Sequence, residues 1–150
     1  MEAIPNVPAS DERDVVFRLA DADADTFMPS GAAAKVGPVG ILITPQGNHR
    51  LTVSPANQGA LRDCAVLHLS GAISSERQRA LAVRYTTADR RGDAGPRRRD
   101  VLIEAGGVAR SFWLTLLAEG GFGHTLRLSL DGHDPYAIAD LTLDCRRPVG

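Results

Sequence analysis

The chain has 150 residues, a length that single domains commonly reach, and 17 Lys and Arg against 18 Asp and Glu leave a net charge of −1. That near-neutral balance excludes a general nucleic-acid binder, which carries a strong basic excess, and 43% hydrophobic residues exclude wholesale disorder. No apolar run approaches the roughly 18–20 residues needed to cross a bilayer, so no membrane span is expected.

The first dozen residues, with Pro5 and Pro8 among acids, read as a flexible arm over 1–12 that lacks the basic start and apolar stretch of a secretory signal. The remainder, 13–150, reads as one domain. Val15, Phe17 and Leu19 then alternate with Val16 and Arg18, the period-two mark of a half-buried strand. Asp21, Asp23 and Asp25 follow at alternate positions. Hard cations want several converging oxygens, but Thr26 and Ala32 stand where an EF-hand loop needs Gly and Glu. A solvated strand end is the expectation, with a structural calcium site as the other reading.

Residues 29–35 read as a Ser/Gly/Ala connector. Val39, Ile41 and Ile43 form the next strand and Leu51 and Val53 another, separated by the turn Pro45-Gln46-Gly47-Asn48. Further inward faces are Leu67, Leu69 and Ile73; Leu81, Val83 and Tyr85; Val101 and Ile103; and Phe112, Leu114 and Leu116. Leu126, Leu128 and Leu130 follow, then Ala137, Ala139, Leu141 and Leu143. Segments 57–62 and 74–79 each suit a polar helical turn. Gly106-Gly107, Gly120-Gly121 and Asp131-Gly132 mark turns, and the last makes Asp131-Gly132-His133-Asp134 a hairpin connection rather than a ligand cluster. About nine short strands without a helical stripe predict an all-β fold, an antiparallel β-sandwich of jelly-roll type.

Chemistry-bearing motifs are sparse. Cys64 and Cys145 form neither a C-x-x-C nor a Cys/His cluster. Two thiols without an export signal predict free, buried cysteines and a cytoplasmic location, with a Cys64–Cys145 bridge as the less expected outcome. His49, His68, His124 and His133 make no His-x-His pair and no helical H-E-x-x-H, so no metal is expected. No G-x-S-x-G elbow or phosphate-cradling glycine loop occurs, so no catalytic residue, no cofactor and no enzyme activity are expected.

Two features bear on binding, each beside a plainer reading: a solvated hairpin tip for the arginines, and for the tryptophan a two-sided buried strand or a ring covered by a loop. Arg90-Arg91 and Arg97-Arg98-Arg99 bracket 92–96 as a basic hairpin tip, which could dock an acidic polysaccharide, a phosphate or an acidic partner protein. Trp113 falls opposite the apolar face of its strand, between Ser111 and Thr115, where an exposed indole would offer a platform for a sugar ring.

The stretch from Cys64 to Cys145 resembles the carbohydrate-binding-module-like (galactose-binding-domain-like) jelly rolls of bacterial glycan-handling proteins. The resemblance lies in Val66-Leu67-His68-Leu69-Ser70-Gly71-Ala72-Ile73 and Leu81-Ala82-Val83-Arg84-Tyr85-Thr86-Thr87. It continues through Val101-Leu102-Ile103-Glu104 and Phe112-Trp113-Leu114-Thr115-Leu116. Leu126-Arg127-Leu128-Ser129-Leu130-Asp131 and Ile138-Ala139-Asp140-Leu141-Thr142-Leu143 close it. It implies ligand contacts from one sheet face or from the loops at one end. The expectation is a non-catalytic module binding a glycan, with Trp113 as platform and Arg84, Arg127 and His68 as polar contacts, all on the non-core faces of their strands. The alternative is an assembly protein that self-associates or binds a partner, using a patch of Val16, Leu42, Val66, Leu102 and Ile138.

Overall fold

The computed structural model describes residues 12–23, 25–37, 40–55, 59–88, 94–118 and 120–148. Apart from Glu12, the expected N-terminal arm lies outside them, as do Asn57, Arg90 and Arg91. Nine strands carry the fold: β1 (Asp14–Arg18), β2 (Phe27–Gly37), β3 (Gly40–Val53), β4 (Val66–Ser74), β5 (Arg79–Ala88), β6 (Ala94–Ile103), β7 (Arg110–Leu117), β8 (Leu126–Leu130) and β9 (Tyr136–Arg146). A single 3₁₀ turn, Leu19–Asp21, is the only helical piece among the described residues. Of the expected helical turns at 57–62 and 74–79, the described residues are not helical: 59–63 form hydrogen-bonded turns, and a bend leads into β5 at Arg79.

Every strand pairing is antiparallel, in the order β6-β5-β8-β3-β9-β4-β7, with β2 added to β3 and β1 to β9. Strand β3 belongs to both layers. Its start, at Ile41 to Ile43, pairs with β9, whereas Leu51 to Val53 pair with β8. The ladder thereby folds over itself into a sandwich of jelly-roll type, with β2-β3-β8-β5-β6 facing β1-β9-β4-β7. Between the layers lie Leu51, Val53, Leu81, Val83 and Leu128 from one sheet and Leu67, Leu69, Leu116, Leu141 and Leu143 from the other.

The count of nine strands matches the expectation, but two segments differ. The supposed connector is part of β2, and the supposed turn at Pro45 to Asn48 lies inside an unbroken β3. The pairing of β2 with β3 shifts register between Ser30 and Ala32, at Gly31, whose φ is +71°. A Cβ there would collide with the Asn48 carbonyl, so the bulge requires glycine. Pro29 is tolerated because β2 is an edge strand, where a missing N–H breaks no ladder.

Two further expectations are corrected. In β9 the predicted inward set began Ala137 and Ala139, yet Tyr136 and Ile138 are buried, together with Leu141, Leu143 and Cys145. Asp140, at φ +55°, inserts one residue and switches the parity of the strand. Val15 is likewise turned outward by a register shift between Val15 and Phe17. With Val66 and Ile138 both in the interior, the five residues proposed as an association patch do not form one.

The cysteines are not free. Cys64 and Cys145 form a disulfide, with Cα atoms 5.6 Å apart and both residues buried. The pairing of Leu67 with Cys145 carries the end of β9 past the turn that precedes β4, which places the two sulfurs together.

Candidate functional site

The four residues expected to bind do lie off the core faces, but on two different layers. Trp113 and His68 belong to β7 and β4, Arg84 and Arg127 to β5 and β8. Because the core separates the layers, their outer faces point in opposite directions, and the structure brings together two pairs rather than one quartet.

On the first face Trp113 sits across from Ser70 and is 75% exposed. The apolar neighbours Phe112 and Leu114 turn inward, and Phe112 packs over Gly71, where a Cβ would come within 3.1 Å of its ring. One rung along, His68 pairs with Thr115, its Nδ1 3.1 Å from the threonine hydroxyl. Burial lowers the His68 pKa below its usual value, Arg13 and Arg146 lower it further, and Asp144 opposes them. The ring is therefore neutral at pH 7, half-buried, with Nε2 enclosed and unpartnered. Trp113 stands on this face as a projecting ring rather than in a cleft.

The second face is concave. Register places Arg98, Arg84 and Arg127 side by side on β6, β5 and β8, continuing to Thr52 on β3. Adjacent strands stand about 4.8 Å apart, so three guanidinium stems share one row across the sheet. They border a groove of about 510 Å³ with Thr86, Thr125 and Arg97. His124 and Pro96 also line it. Arg84 donates to the Ser129 hydroxyl at 3.2 Å, and Arg98 pairs with Asp100 at 2.9 Å. Arg97 to Arg99 are thus strand residues rather than a hairpin tip. Sequence reading missed the grouping of Arg98 with Arg84 and Arg127. Only strand register aligns them, although the arginine run was visible.

A third polar cluster is structural. His49 Nε2 lies 2.7 Å from the Tyr136 hydroxyl, and the Arg79 guanidinium stacks 4.9 Å over the Tyr136 ring. Arg79 donates to the carbonyls of Asp131 (2.7 Å) and Asp134 (2.6 Å), while Asp131 accepts from the Ala80 N–H. The expected 131–134 turn is therefore clamped by a buried arginine. Burial raises the Tyr136 pKa and, with Arg79 and His133, lowers that of His49.

The aspartate series is used locally. Asp23 accepts from the N–H groups of Asp25 (2.9 Å) and Thr26 (3.1 Å), an Asx turn leading into β2. Among the described residues no three His, Cys, Asp or Glu side chains are grouped to hold a metal. No described helix is long and apolar enough to cross a membrane.

No family model matches the chain, and no curated protein matches it. Solved structures do. A xylanase from Clostridium thermocellum, comprising a family 22 carbohydrate-binding module and a catalytic module in complex with xylohexaose, superposes with a TM-score of 0.67 at 10% identity. That match covers 91% of this chain and 29% of the other, so the chain spans under a third of that protein. The family 22 xylan-binding domain of a Paenibacillus barcinonensis xylanase gives a TM-score of 0.63 at 13% identity, covering 95% of this chain and 100% of that domain. A family 29 carbohydrate-binding module from Piromyces equi gives 0.58 at 8% identity, covering 89% and 90%. The fold of this chain is that of the carbohydrate-binding jelly rolls.

Proposed function

We propose that this chain is a non-catalytic module that binds a glycan across the outer face of the β2-β3-β8-β5-β6 sheet. The observation that carries the reading is the groove over β5, β6 and β8, where guanidinium groups and threonine hydroxyls converge on one concavity. Planar donors of this kind suit the hydroxyl and ring oxygens of a sugar, and a preformed sheet confines the ordering cost to the side chains. The shared fold with modules whose names record xylan binding supports the same reading.

Titration calorimetry against a panel of neutral and acidic oligosaccharides, xylohexaose included, tests it. Heat is expected from at least one glycan, with Arg84→Ala and Arg127→Ala each weakening binding about tenfold, the loss of a charge-assisted hydrogen bond. Silence across the whole panel overturns the reading.

The exposure of Trp113 favours a second contact surface on the opposite layer, where an indole can stack on a sugar ring. Its fluorescence reports that surface alone, because Trp113 is the single tryptophan. A ligand-induced emission shift, together with a Trp113→Ala variant that loses calorimetric affinity while Arg84→Ala does not, would move the site to this face.

Self-association through the β2 edge is the remaining reading. A mainly apolar groove of about 940 Å³ lies beside that edge, lined by Phe27, Ala34, Val36, Ile41 and Ala139 among others. Val36 is 82% exposed. Light scattering showing a strict monomer would remove it.

A further inference from the structure

Charge is divided unequally between the two layers. The strands β2, β3, β5, β6 and β8 hold eight Lys and Arg residues and one carboxylate, Asp100. The strands β1, β4, β7 and β9 hold three Arg and three Asp. The chain as a whole carries −1, so the basic excess belongs to one sheet and not to the protein.

Four of the eight, Arg50, Arg84, Arg98 and Arg127, share the outer face with Asp100. Arg79 is buried, Arg97 and Arg99 pair with the inward Tyr85 and Val83, and Lys35 pairs with the part of β3 that joins β9. Arg98, Arg84 and Arg127 are direct cross-strand neighbours, and Arg50 lies two residues along β3 from Thr52, the next residue in the row. Like charges directly opposite one another destabilise a sheet. Yet among the described ion pairs only Arg98 of these four has a carboxylate partner. All four arginines are exposed, so water screens their repulsion without removing it.

We infer that the glycan held in this groove is anionic: a polysaccharide bearing carboxylate or sulfate groups that the Arg84, Arg98 and Arg127 row neutralises. The inference rests on the glycan-binding reading above and names the class of sugar for the same site. A guanidinium presents two parallel N–H donors that match the two oxygens of a carboxylate or sulfate. Successive strands repeat that fork at a fixed spacing, which suits a polymer with repeating charge. A nucleic acid is the competing polyanion, but single strands are held by aromatic rings that stack on bases. Among the described residues the aromatic rings lining this groove are that of Tyr85, which lies 6.0 Å from that of Phe122 and belongs to the inward set of β5, and the imidazole of His124, whose Nε2 lies 3.4 Å from the Arg62 guanidinium.

The test compares four probes by calorimetry: polygalacturonate oligomers, the same oligomers with every carboxylate methyl-esterified, heparin oligomers, and a single-stranded oligonucleotide of similar charge. The expected result is binding of polygalacturonate, heparin or both, and at least tenfold weaker binding of the ester. Affinity should also fall about tenfold between roughly 50 and 500 mM salt. Arg84→Gln and Arg127→Gln should each reduce it, whereas Arg110→Gln, an equal charge change on the opposite layer, should not; thermal melts confirm that the variants fold. Whichever of the two acidic glycans binds identifies the anion. Equal, salt-insensitive binding of the ester overturns the anionic assignment while leaving the glycan reading in place. Preference for the oligonucleotide overturns it in favour of nucleic acid. No binding by any glycan sinks the underlying reading itself.

Discussion

At Arg127 the proposed binding role and the stability of the fold pull in opposite directions. It stands between Arg84 and Thr52 with no described carboxylate paired to it, a position that like-charge repulsion penalises. Arg127→Gln should therefore raise stability by a few tenths of a kcal/mol in low salt, with the gain fading in high salt, as it weakens ligand binding. Denaturant midpoints at two ionic strengths decide this; a loss of stability would mean that the arginine stem packs more than its charge repels. His49 acts in the opposite sense. Its folded-state pKa lies below the ordinary value because of burial first, then Arg79 and His133, with Tyr136 bonded to its ring. The unfolded chain thus takes up a proton before the native one does, and stability is full above about pH 7 and drains as pH falls below about 6.5. His68, lowered chiefly by its own burial, adds to the same slope. Urea midpoints at pH 7.5 and 5.5 should differ in that direction, and His49→Gln should flatten the difference. An unchanged slope in that variant would place the titration elsewhere.

At the scale of the strand, Asp140 decides which side chains of β9 enter the core. Its φ of +55° costs an Asp less than most residues, and the Thr142 hydroxyl donates to its carbonyl at 3.1 Å. Asp140→Gly should gain up to about 1 kcal/mol by relieving that conformation, whereas Asp140→Ile should lose more than about 1 kcal/mol. Thermal melts check both, and a destabilised glycine variant would show that the carboxylate, not the backbone, holds the bulge. The same residue explains why period-two reading succeeded in β4, β5, β7 and β8 and failed in β9. Alternation reveals which residues share a face only while the ladder is regular, and a bulge changes the parity without changing the pattern. β2 escaped notice for a different reason. Its Ala and Gly residues have low strand propensity, and its partner β3, rather than its own sequence, keeps it extended. The site was legible in part: Trp113, Arg84 and Arg127 were correctly turned outward, because burial of alternate residues fixes that. Which of them share a layer depends on the folding over of the ladder at β3, a long-range pairing that no local window contains.

The whole molecule is closed by a covalent link that its sequence spacing did not announce. Cys64 and Cys145 lie 81 residues apart, and the bridge ties the turn before β4 to the end of β9, enclosing most of the sandwich in one loop. A cross-link over that length restricts the unfolded chain severely, a contribution of roughly 4–5 kcal/mol by loop-closure entropy and more commonly about 2–5 when measured. Against a typical domain stability of about 5–15 kcal/mol this is a large share. The Cys64→Ala, Cys145→Ala double variant should accordingly lose about 2–5 kcal/mol in denaturant titrations. Because both sulfurs are buried, reductant should act slowly on the native protein and quickly once it unfolds. Alkylation of the unreduced, denatured chain followed by mass measurement supplies the decisive control. No added label is expected, and two labels would return the cysteines to the free state and remove the stabilisation with them.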